Sequence, residues 1–581
     1  MWTPGCLPHC SPWGIRWGSP RRLTCIHYNS NQSCLIVSII MGFSGFEHTG
    51  FLGGKIGGKA LQIGVCITAA SGFLLFGYDQ GIMSGIISEP LFLEDFPLMD
   101  SNYKDGAIQA LVVAIYEVGC LLGSFFVIAY GDKLGRRKSV LIGTVWMLIG
   151  TAIQASATTM GQLIVGRIVT GLGNGMNTSS IPVWQSEMAP PKIRGFLVLF
   201  EGALITGGIM VSYWINYGFW FITQYGSFQW RFPIAFQAVF GFLLIIGVLA
   251  YPESPRWLLK HNKDTSALQI MAHLRDTSID DVELLAEIDE MKKINAITGG
   301  KKLTVKEFFS KGPEMNRWRA LIAFSSQAFQ QIGGLNLVTY YATTVFEDSL
   351  GFDAELSRLM TGCLGTEFFI AALVALFVVD RLGRRRLMLW GAMGMAASLL
   401  IVGACLSAGT KPPAYVATVF IFVYNSFFAL GWLGVTWLYP AEITPIRIRA
   451  EANGLSTSAN WIFNYAVVQL APIMINKIAW ETYFVFMCFN FAFIPIVYYT
   501  FVETNGYPLE KMDAIFAEAY EKNENPVWTE RRVRKGEVLD VEKTIEDAER
   551  VAEARRDVPA RASSESSDAD AFKSGAQRKE G

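Results

Sequence analysis

Charged residues are scarce in this chain, and they are unevenly spread. Asp, Glu, Lys and Arg make up 17% of the 581 residues, below the roughly 25% usual for soluble domains. The formal net charge of −1 offers no broad attraction for nucleic acid and argues against that class of partner. The stretches 106–130 and 387–408 hold almost no charge, whereas 253–319 and 505–581 are rich in it. This distribution is typical of a protein that crosses a lipid bilayer many times.

Motifs for metal binding and for enzyme chemistry are also missing. The nine cysteines form no CxxC pair and no Cys/His cluster with metal spacing. All five histidines fall outside the apolar stretches, and no nucleophile–base motif or nucleotide-binding loop stands out. The glycine-rich run at 171–175 is better explained by close packing of helices. The sequence therefore predicts no enzyme, no metal site and no organic cofactor.

Apolar runs long enough to cross a bilayer are abundant. Hydrophobic residues make up 51% of the chain, and the mean hydropathy is +0.31. A crossing helix needs ~20 mostly apolar residues. Twelve such runs are predicted as spans 1 to 12, near 64–87, 106–130, 140–156, 161–184, 196–219, 231–251, 320–345, 359–379, 387–408, 415–439, 452–475 and 480–502.

Basic residues in the short loops predict the orientation. The loops after spans 2 and 8 hold four Lys or Arg residues each, and the loops after spans 4 and 10 hold two each. The loop after span 1 instead carries five acids and Lys104. We therefore expect a multi-pass protein of the plasma membrane, with both termini and the loop between spans 6 and 7 in the cytoplasm.

Five parts follow from this pattern. They are an N-terminal segment 1–60, a six-helix bundle 61–251, a cytoplasmic helical linker 252–318, a second six-helix bundle 319–503, and a cytoplasmic helix with a tail at 504–581. Residues 1–40 are a Cys/Trp/Pro-rich mixture without periodicity, so we expect translation to start at Met41 and the preceding residues to be a gene-model extension. The linker contains an amphipathic stretch at Asp281–Ala296. Residues after about 525 are charged and poor in apolar side chains, which predicts disorder.

Polar motifs at the ends of the spans occur twice in the same order. Asp132-x-x-Gly135-Arg136-Arg137, Glu187-x6-Arg194 and Glu253 recur as Asp380-x-x-Gly383-Arg384-Arg385, Glu442-x6-Arg449 and Glu503, at offsets of 248, 255 and 250 residues. A repeat of this kind indicates a duplicated six-span unit. Arginine pairs bidentately with carboxylates, so these charges can form a breakable cytoplasmic gate. The alternative is that the arginines only set the topology.

Amide side chains are concentrated in two spans of the second half. Span 7 holds Gln327, Gln330, Gln331 and Asn336, span 11 holds Asn460 and Asn464, and Trp437 lies towards the end of span 10. The pair Gly333-Gly334 is the kind of interruption found at transporter binding sites. Amides and an aromatic face suit a small neutral polyhydroxylated substrate. The alternative is that these amides join helices, at about 0.6–2 kcal/mol each.

An acid and a base lie inside spans 1 and 4. Ionisable residues in a membrane are costly and usually functional. Asp79 and Arg167 therefore predict a proton-coupling pair, in which protonation of Asp79 releases Arg167 and shifts the equilibrium between two states. The alternative is a structural ion pair. Glu117, Glu201 and Glu367 are further acids inside spans 2, 5 and 8.

As an ordered set, these motifs resemble those of the sugar porter family of the major facilitator superfamily, especially its fungal members. The resemblance covers about residues 60–515 and rests on Gly135-Arg136-Arg137, Gly166-Arg167-x3-Gly171, Pro252-Glu253-Ser254-Pro255-Arg256-Trp257, Gln330-Gln331-x4-Asn336 and Gly383-Arg384-Arg385. It implies an all-α fold of twelve transmembrane helices in two pseudo-symmetric bundles. It also implies sugar contacts at Gln330, Gln331, Asn336, Trp437 and Asn460, and proton transfer at Asp79 and Arg167.

The sequence departs from the family pattern in span 5. Many relatives have a sugar-contacting Gln where this chain has Gly202, and the preceding Glu201 resembles a fungal subgroup that includes glycerol–proton symporters. We therefore expect a monomeric secondary transporter that carries a hexose, a pentose or a small polyol by alternating access, with the proton as coupling ion. The alternatives are a passive facilitator and a non-transporting sugar sensor.

Overall fold

The computed structural model describes Gly50 and residues 56–101, 103–190, 193–298, 304–409, 411–445, 447–541, 543–548 and 550. The predictions for residues 1–40, for the start at Met41 and for the end of the tail lie outside these residues. The described part is helical. The helices are α1 (Gly58–Ile86), α2 (Pro90–Asp95), α3 (Ala107–Leu134), α4 (Arg136–Ala155), α5 (Met160–Met188), α6 (Arg194–Trp220), α7 (Phe228–Ala250), α8 (Pro255–Lys260), α9 (Asp264–Arg275), α10 (Val282–Thr298), α11 (Val305–Phe308), α12 (Asn316–Ile332), α13 (Leu335–Thr344), α14 (Ala354–Leu382), α15 (Arg384–Ser407), α16 (Lys411–Phe428), α17 (Val435–Ile443), α18 (Arg449–Ile478), α19 (Glu481–Thr500), α20 (Leu509–Glu521) and α21 (Pro526–Arg534).

Twelve transmembrane spans are present, at the positions that the apolar runs predicted. Spans 1 to 6 are α1, α3, α4, α5, α6 and α7. Span 7 consists of α12 and α13, span 10 of α16 and α17, and spans 8, 9, 11 and 12 are α14, α15, α18 and α19. The two bundles meet where α6 packs on α14, α3 on α18 and α1 on α13. The predicted pair of six-helix bundles is confirmed.

Three spans differ from the other nine in length or composition. Among the described residues, nine helices are long and apolar enough to cross a membrane, judged by their length and composition. The remaining spans are α5, the two-part span 7 and α18. These carry Arg167, the glutamines of span 7, and Asn460. Each of the three spans thus contains residues that sequence analysis selected as functional.

We name the two ends of the bundle by their residues. The GRR end carries Gly135-Arg136-Arg137 and Gly383-Arg384-Arg385, and the Arg358 end carries Arg358 at the start of α14. The linker between the bundles lies at the GRR end and forms α8 to α11, as predicted for a helical linker.

One prediction for the C-terminal segment is wrong. Residues after about 525 were expected to be disordered, yet Pro526–Arg534 forms α21. Val527 and Val533 are buried, and the Glu530 side chain is 2% exposed and paired with Arg534. The helix is amphipathic, so its few apolar residues share one face and pack on the protein despite the high overall charge.

Candidate functional site

Span 7 is broken at the glycine pair, as the sequence predicted. α12 ends at Ile332, and Gly334 adopts a φ of +100°, which favours glycine. A Cβ atom there would lie 2.8 Å from the Phe486 ring. The carbonyl of Gly333 accepts hydrogen bonds from Tyr424 Oη (3.1 Å) and Asn490 Nδ2 (2.9 Å). The backbone group released by the break is thus satisfied by neighbouring spans.

The break brings the predicted amides into one hydrogen-bonded network. Asn460 Nδ2 donates to Gln327 Oε1 (2.6 Å) and to Gln330 Oε1 (3.1 Å). Gln331 Nε2 donates to Gln330 Oε1 (3.3 Å), and Asn336 Nδ2 donates to Gln331 Oε1 (2.5 Å). All five side chains are at least 93% buried. Gln327, Gln331 and Asn336 cannot share a face of a straight helix, and the turn at Gly333-Gly334 removes that restriction.

Span 10 supports the same network through its own irregular turn. Residues Ala429–Leu433 form a π-helical turn, which interrupts the regular ladder of backbone hydrogen bonds. Gln330 Nε2 donates to the carbonyls of the last two residues of that turn, at 2.9 and 3.0 Å. Gln327 Nε2 donates to the Thr436 carbonyl (3.1 Å). The two glutamines are therefore oriented by backbone acceptors, with their oxygens directed to Asn460.

The other two predicted members lie on spans 10 and 11. Asn464 is buried one turn along α18 from Asn460, and its Oδ1 has no hydrogen-bond partner among the described residues. Trp437 is partly buried on α17. Gly202 of α6 faces span 10 directly, since a Cβ atom on Gly202 would lie 3.4 Å from the Cα of Gly434. At this position the backbone of the first bundle therefore lies close to span 10, and no amide side chain is present there.

The predicted ion pair of the first bundle is formed. Arg167 Nη1 and Asp79 Oδ1 are 3.2 Å apart, and both side chains are fully buried. Arg167 Nη2 donates to the Val113 carbonyl (3.0 Å), and the guanidinium lies 4.6 Å from the centre of the Tyr116 ring. Asp79 Oδ2 has no hydrogen-bond partner among the described residues. One carboxylate oxygen is thus available to bind a proton while the other holds the arginine.

A contact between the bundles connects the ion pair with α13, which carries Asn336 and which we call the amide helix. Tyr340 Oη donates a hydrogen bond to Glu117 Oε1. Glu117 is adjacent to Tyr116 on α3, and Tyr340 lies one turn after Asn336 on α13. Sequence analysis noted Glu117 but missed Tyr340. The signal that was available is a tyrosine pair, Tyr340-Tyr341, inside a span and shortly after the glycine break.

The predicted gate residues of the first bundle converge at the GRR end. Arg136 pairs bidentately with Glu187, through Nε to Oε2 and Nη2 to Oε1, both at 3.0 Å. Glu253 Oε1 accepts the backbone N–H of Arg136 (3.1 Å) at the start of α4. Arg137 donates through its side chain to the Val248 carbonyl (2.9 Å). Burial raises the pKa of Glu253, and the backbone donors and the two arginines oppose that rise.

The second bundle repeats this geometry. Arg384 pairs bidentately with Glu442 at 3.1 and 2.9 Å. Glu503 accepts the backbone N–H groups of Arg384 (2.8 Å) and Arg385 (3.2 Å) at the start of α15. Arg385 donates to the Tyr498 carbonyl (2.6 Å). Both clamps thus join helices of the same bundle.

The remaining gate residues lie beside these clamps. Asp380 pairs with Arg384 (3.0 Å), whereas Asp132 pairs with Lys260 of α8 (2.9 Å), a partner that the repeat did not predict. Arg449 donates to the Thr444 carbonyl at 3.0 Å. Arg194 begins α6, and its side chain lies outside the described part of the chain.

Twelve spans in two related bundles, with a buried ion pair in one and a buried amide network in the other, define a transporter of the major facilitator superfamily. The family model described as Sugar (and other) transporter matches residues 65–516. The chain belongs to this sugar transporter family, and it is a multi-pass membrane transporter, not an enzyme.

Individual relatives agree with that assignment. The chain is 39% identical over 477 residues to Sugar transporter STL1 of Saccharomyces cerevisiae. That alignment covers 81% of this chain and 84% of the relative. It is 33% identical over 462 residues to the Glucose transporter GlcP of Staphylococcus epidermidis, in an alignment that covers 78% of this chain and 97% of that relative. Among solved structures, the proton:xylose symporter XylE bound to 6-bromo-6-deoxy-D-glucose aligns with a TM-score of 0.66 at 26% identity, and the alignment covers 79% of this chain and 99% of that one.

Proposed function

We propose that this protein imports a monosaccharide or a small polyol together with a proton, by alternating access across the plasma membrane. In this proposal the GRR end faces the cytoplasm, the Arg358 end faces outwards, and the protein acts as a monomer. The excess of Lys and Arg in the loops of the GRR end supports the orientation. Proton coupling in the xylose symporter that shares the fold supports the energy source.

The chemistry of the amide network supports the proposed substrate class. Gln330, Gln331 and Asn460 form hydrogen bonds that link their amide groups, and the hydroxyl groups of a polyol are able to replace such bonds. No charged side chain belongs to this network of described residues, which favours a neutral substrate. Trp437 supplies an aromatic surface for the C–H groups. Because Gly202 provides no side-chain partner, fewer hydroxyls are bound from the first bundle, which favours a short substrate.

The observation that carries the coupling proposal is the connection between the ion pair and the amide helix. Asp79 holds Arg167 at 3.2 Å, Arg167 lies over Tyr116, and the adjacent Glu117 accepts from Tyr340 of α13. Protonation of Asp79 removes the negative charge that holds Arg167. The resulting shift of α3 acts on the helix that carries Asn336. Substrate and proton then favour the same conformation, and each raises the affinity for the other.

Uptake in cells without endogenous hexose and glycerol carriers tests this function. Radiolabelled glucose, xylose and glycerol are supplied at pH 5.5, with and without an uncoupler. We expect accumulation of at least one of them above its external concentration, and loss of that accumulation with the uncoupler. Equilibration that is insensitive to the uncoupler would show a passive facilitator. No uptake of any substrate, together with altered expression of transporter genes, would show a sensor.

A further inference from the structure

At the Arg358 end, one buried arginine reaches from the second bundle to the first. Arg358 belongs to the second bundle and is 2% exposed. Its Nη2 donates to the carbonyl (3.0 Å) and to Oγ (2.9 Å) of Ser88 in the first bundle. Its guanidinium also lies 3.7 Å from the centre of the Trp220 ring at the end of α6. Opening of this end requires all three contacts to break.

The positive charge of Arg358 is already paired within its own bundle. Arg358 Nη1 lies 2.9 Å from Glu347 Oε1, in the turn that follows α13. Glu89, next to Ser88, is a second carboxyl group near the same guanidinium. It is fully buried, and neither of its oxygens accepts a hydrogen bond from any described residue. Two acids thus share one arginine, and only Glu347 pairs with it directly.

A buried carboxyl group without donors is more stable when protonated. We infer that Glu89 is a proton-binding site of the outer gate, which takes up a proton when the Arg358 end closes and releases it when that end opens. External acid then favours the closed gate. The inference uses the proposed orientation, but it depends neither on the substrate nor on the coupling at Asp79.

The direction of this effect follows from the electrostatics around Glu89. Burial raises its pKa to about 8, although Arg358 opposes the rise. In the open gate water reaches the group, and a pKa of about 4.3 is expected. Between these values the closed gate binds more protons than the open gate. The ratio of closed to open therefore rises as pH falls, by at most about tenfold per pH unit.

Several other charged groups at this end are held by partners of their own. On the first bundle, Asp95 accepts from Ser227 and Trp230, and Arg231 donates to the carbonyls of Ala155 and Ala157. On the second bundle, Glu347 pairs with Arg358. Asp348 lies near Asp100, and burial raises its pKa. Of these groups, Arg358 is the one whose charge acts on Glu89. A change confined to Glu89 should therefore isolate its contribution.

Labelling of a buried gate position measures the opening directly. Ser84 is fully buried under the gate, where its Oγ accepts from the backbone N–H of Thr343 (3.4 Å). A membrane-impermeant maleimide is applied to intact cells expressing the full chain with Ser84→Cys, at external pH 5 to 8. The parent chain gives the background from native cysteines. Ser156→Cys, at an exposed position after α4, corrects for the pH dependence of the thiol reaction itself.

We expect the corrected labelling of Ser84→Cys to fall by at least tenfold between pH 8 and pH 5. Adding Glu89→Gln should keep labelling low and nearly constant with pH, because the amide resembles the protonated acid. Glu94→Gln, at an exposed acid of α2, should leave the response unchanged.

Two results would overturn the inference. One is corrected labelling of Ser84→Cys that is flat with pH, which is decisive even if Glu89→Gln fails to fold. The other is an unchanged pH response in Glu89→Gln. Absence of labelling at both Ser84→Cys and Ser156→Cys would place the Arg358 end inside the cell. That result would overturn the proposed orientation, and with it the sensing of external pH.

Discussion

The hydroxyl of Tyr340 in the second bundle donates a hydrogen bond to Glu117 in the first. This bond joins the amide helix α13 to α3, the helix that carries Tyr116 beside Arg167. Glu117 is fully buried, and α13 cannot move away from α3 without breaking the bond. A typical intramolecular hydrogen bond contributes about 0.5–1.5 kcal/mol to stability. The upper part of that range overlaps a typical coupling free energy between two binding sites, about 1–3 kcal/mol.

Removal of that hydroxyl should weaken coupling more than transport. With Tyr340→Phe we expect the accumulation ratio to fall by about two- to tenfold, while exchange of labelled for unlabelled substrate continues. Tyr341→Phe is the matched control, because the Tyr341 hydroxyl donates to the Val468 carbonyl within the second bundle. The measurement is accumulation and exchange in the same cells. Equal losses of accumulation in both variants would show that the Glu117 contact is only structural.

The Asp79→Asn variant tests the ion pair itself. Asparagine cannot bind a transport proton, so we expect accumulation to be abolished and exchange to be retained. Proton uptake after substrate addition, recorded as alkalinisation of a weakly buffered suspension, should also disappear. Glu367→Gln is the control, since Glu367 is a membrane acid that accepts from Ser426 and lies apart from the Asp79 pair. Persistent substrate-dependent alkalinisation in Asp79→Asn would exclude Asp79 as the coupling group.

The Asn460→Ala variant distinguishes substrate binding from helix association. Asn460 bridges Gln327 and Gln330, and two hydrogen bonds at about 1 kcal/mol each predict a KM for uptake raised roughly tenfold or more. Asn216→Ala serves as control, because this buried amide donates to the Ile82 carbonyl within the first bundle. We expect Asn216→Ala to lower the melting temperature without changing KM. The same KM in parent and Asn460→Ala would favour a purely structural amide network.

The break in span 7 predicts unequal effects for two neighbouring glycines. At Gly334 the φ of +100° and the Phe486 ring at 2.8 Å both oppose a methyl group. At Gly333 φ is −57°, and the nearest atom is 3.3 Å away. We expect Gly334→Ala to destabilise the protein by about 1–3 kcal/mol, and Gly333→Ala by less. Melting temperatures of the purified proteins in detergent measure this, and equal values would contradict the assigned strain.

Much of the fold and part of the site were predictable because they depend on local patterns. Span positions follow from apolar runs, and the break follows from Gly333-Gly334. The partners Asp79 and Arg167 were predictable because an isolated charge inside a membrane requires a counter-charge. The repeat assigned Glu187 and Glu442 to the arginine clamps, since duplicated motifs indicate equivalent neighbours.

Other contacts depend on how the bundles meet, which no local pattern records. Tyr340 and Glu117 are 223 positions apart, and both residue types are common in helices. The pair of Asp132 with Lys260 requires the position of α8 after the first bundle. α21 was missed because its overall charge is high, although its apolar residues share a face. Composition describes a segment as a whole, whereas packing depends on the arrangement of its side chains.

The polar residues of α5, span 7 and α18 also have a consequence for biogenesis. An arginine at the centre of a helix raises the cost of inserting that helix alone by about 2.5–3.5 kcal/mol. Arg167 is the eighth residue of α5, so its cost is smaller, but α5 also carries Asn174 and Asn177 nearer its middle. The counter-charge for Arg167 is Asp79 of α1, which is synthesised earlier. α5 should therefore enter the membrane beside α1, and α18 beside the already inserted span 7, whose amides it meets. We therefore expect folding of this transporter to begin during membrane insertion, with these polar residues favouring the order in which the helices associate.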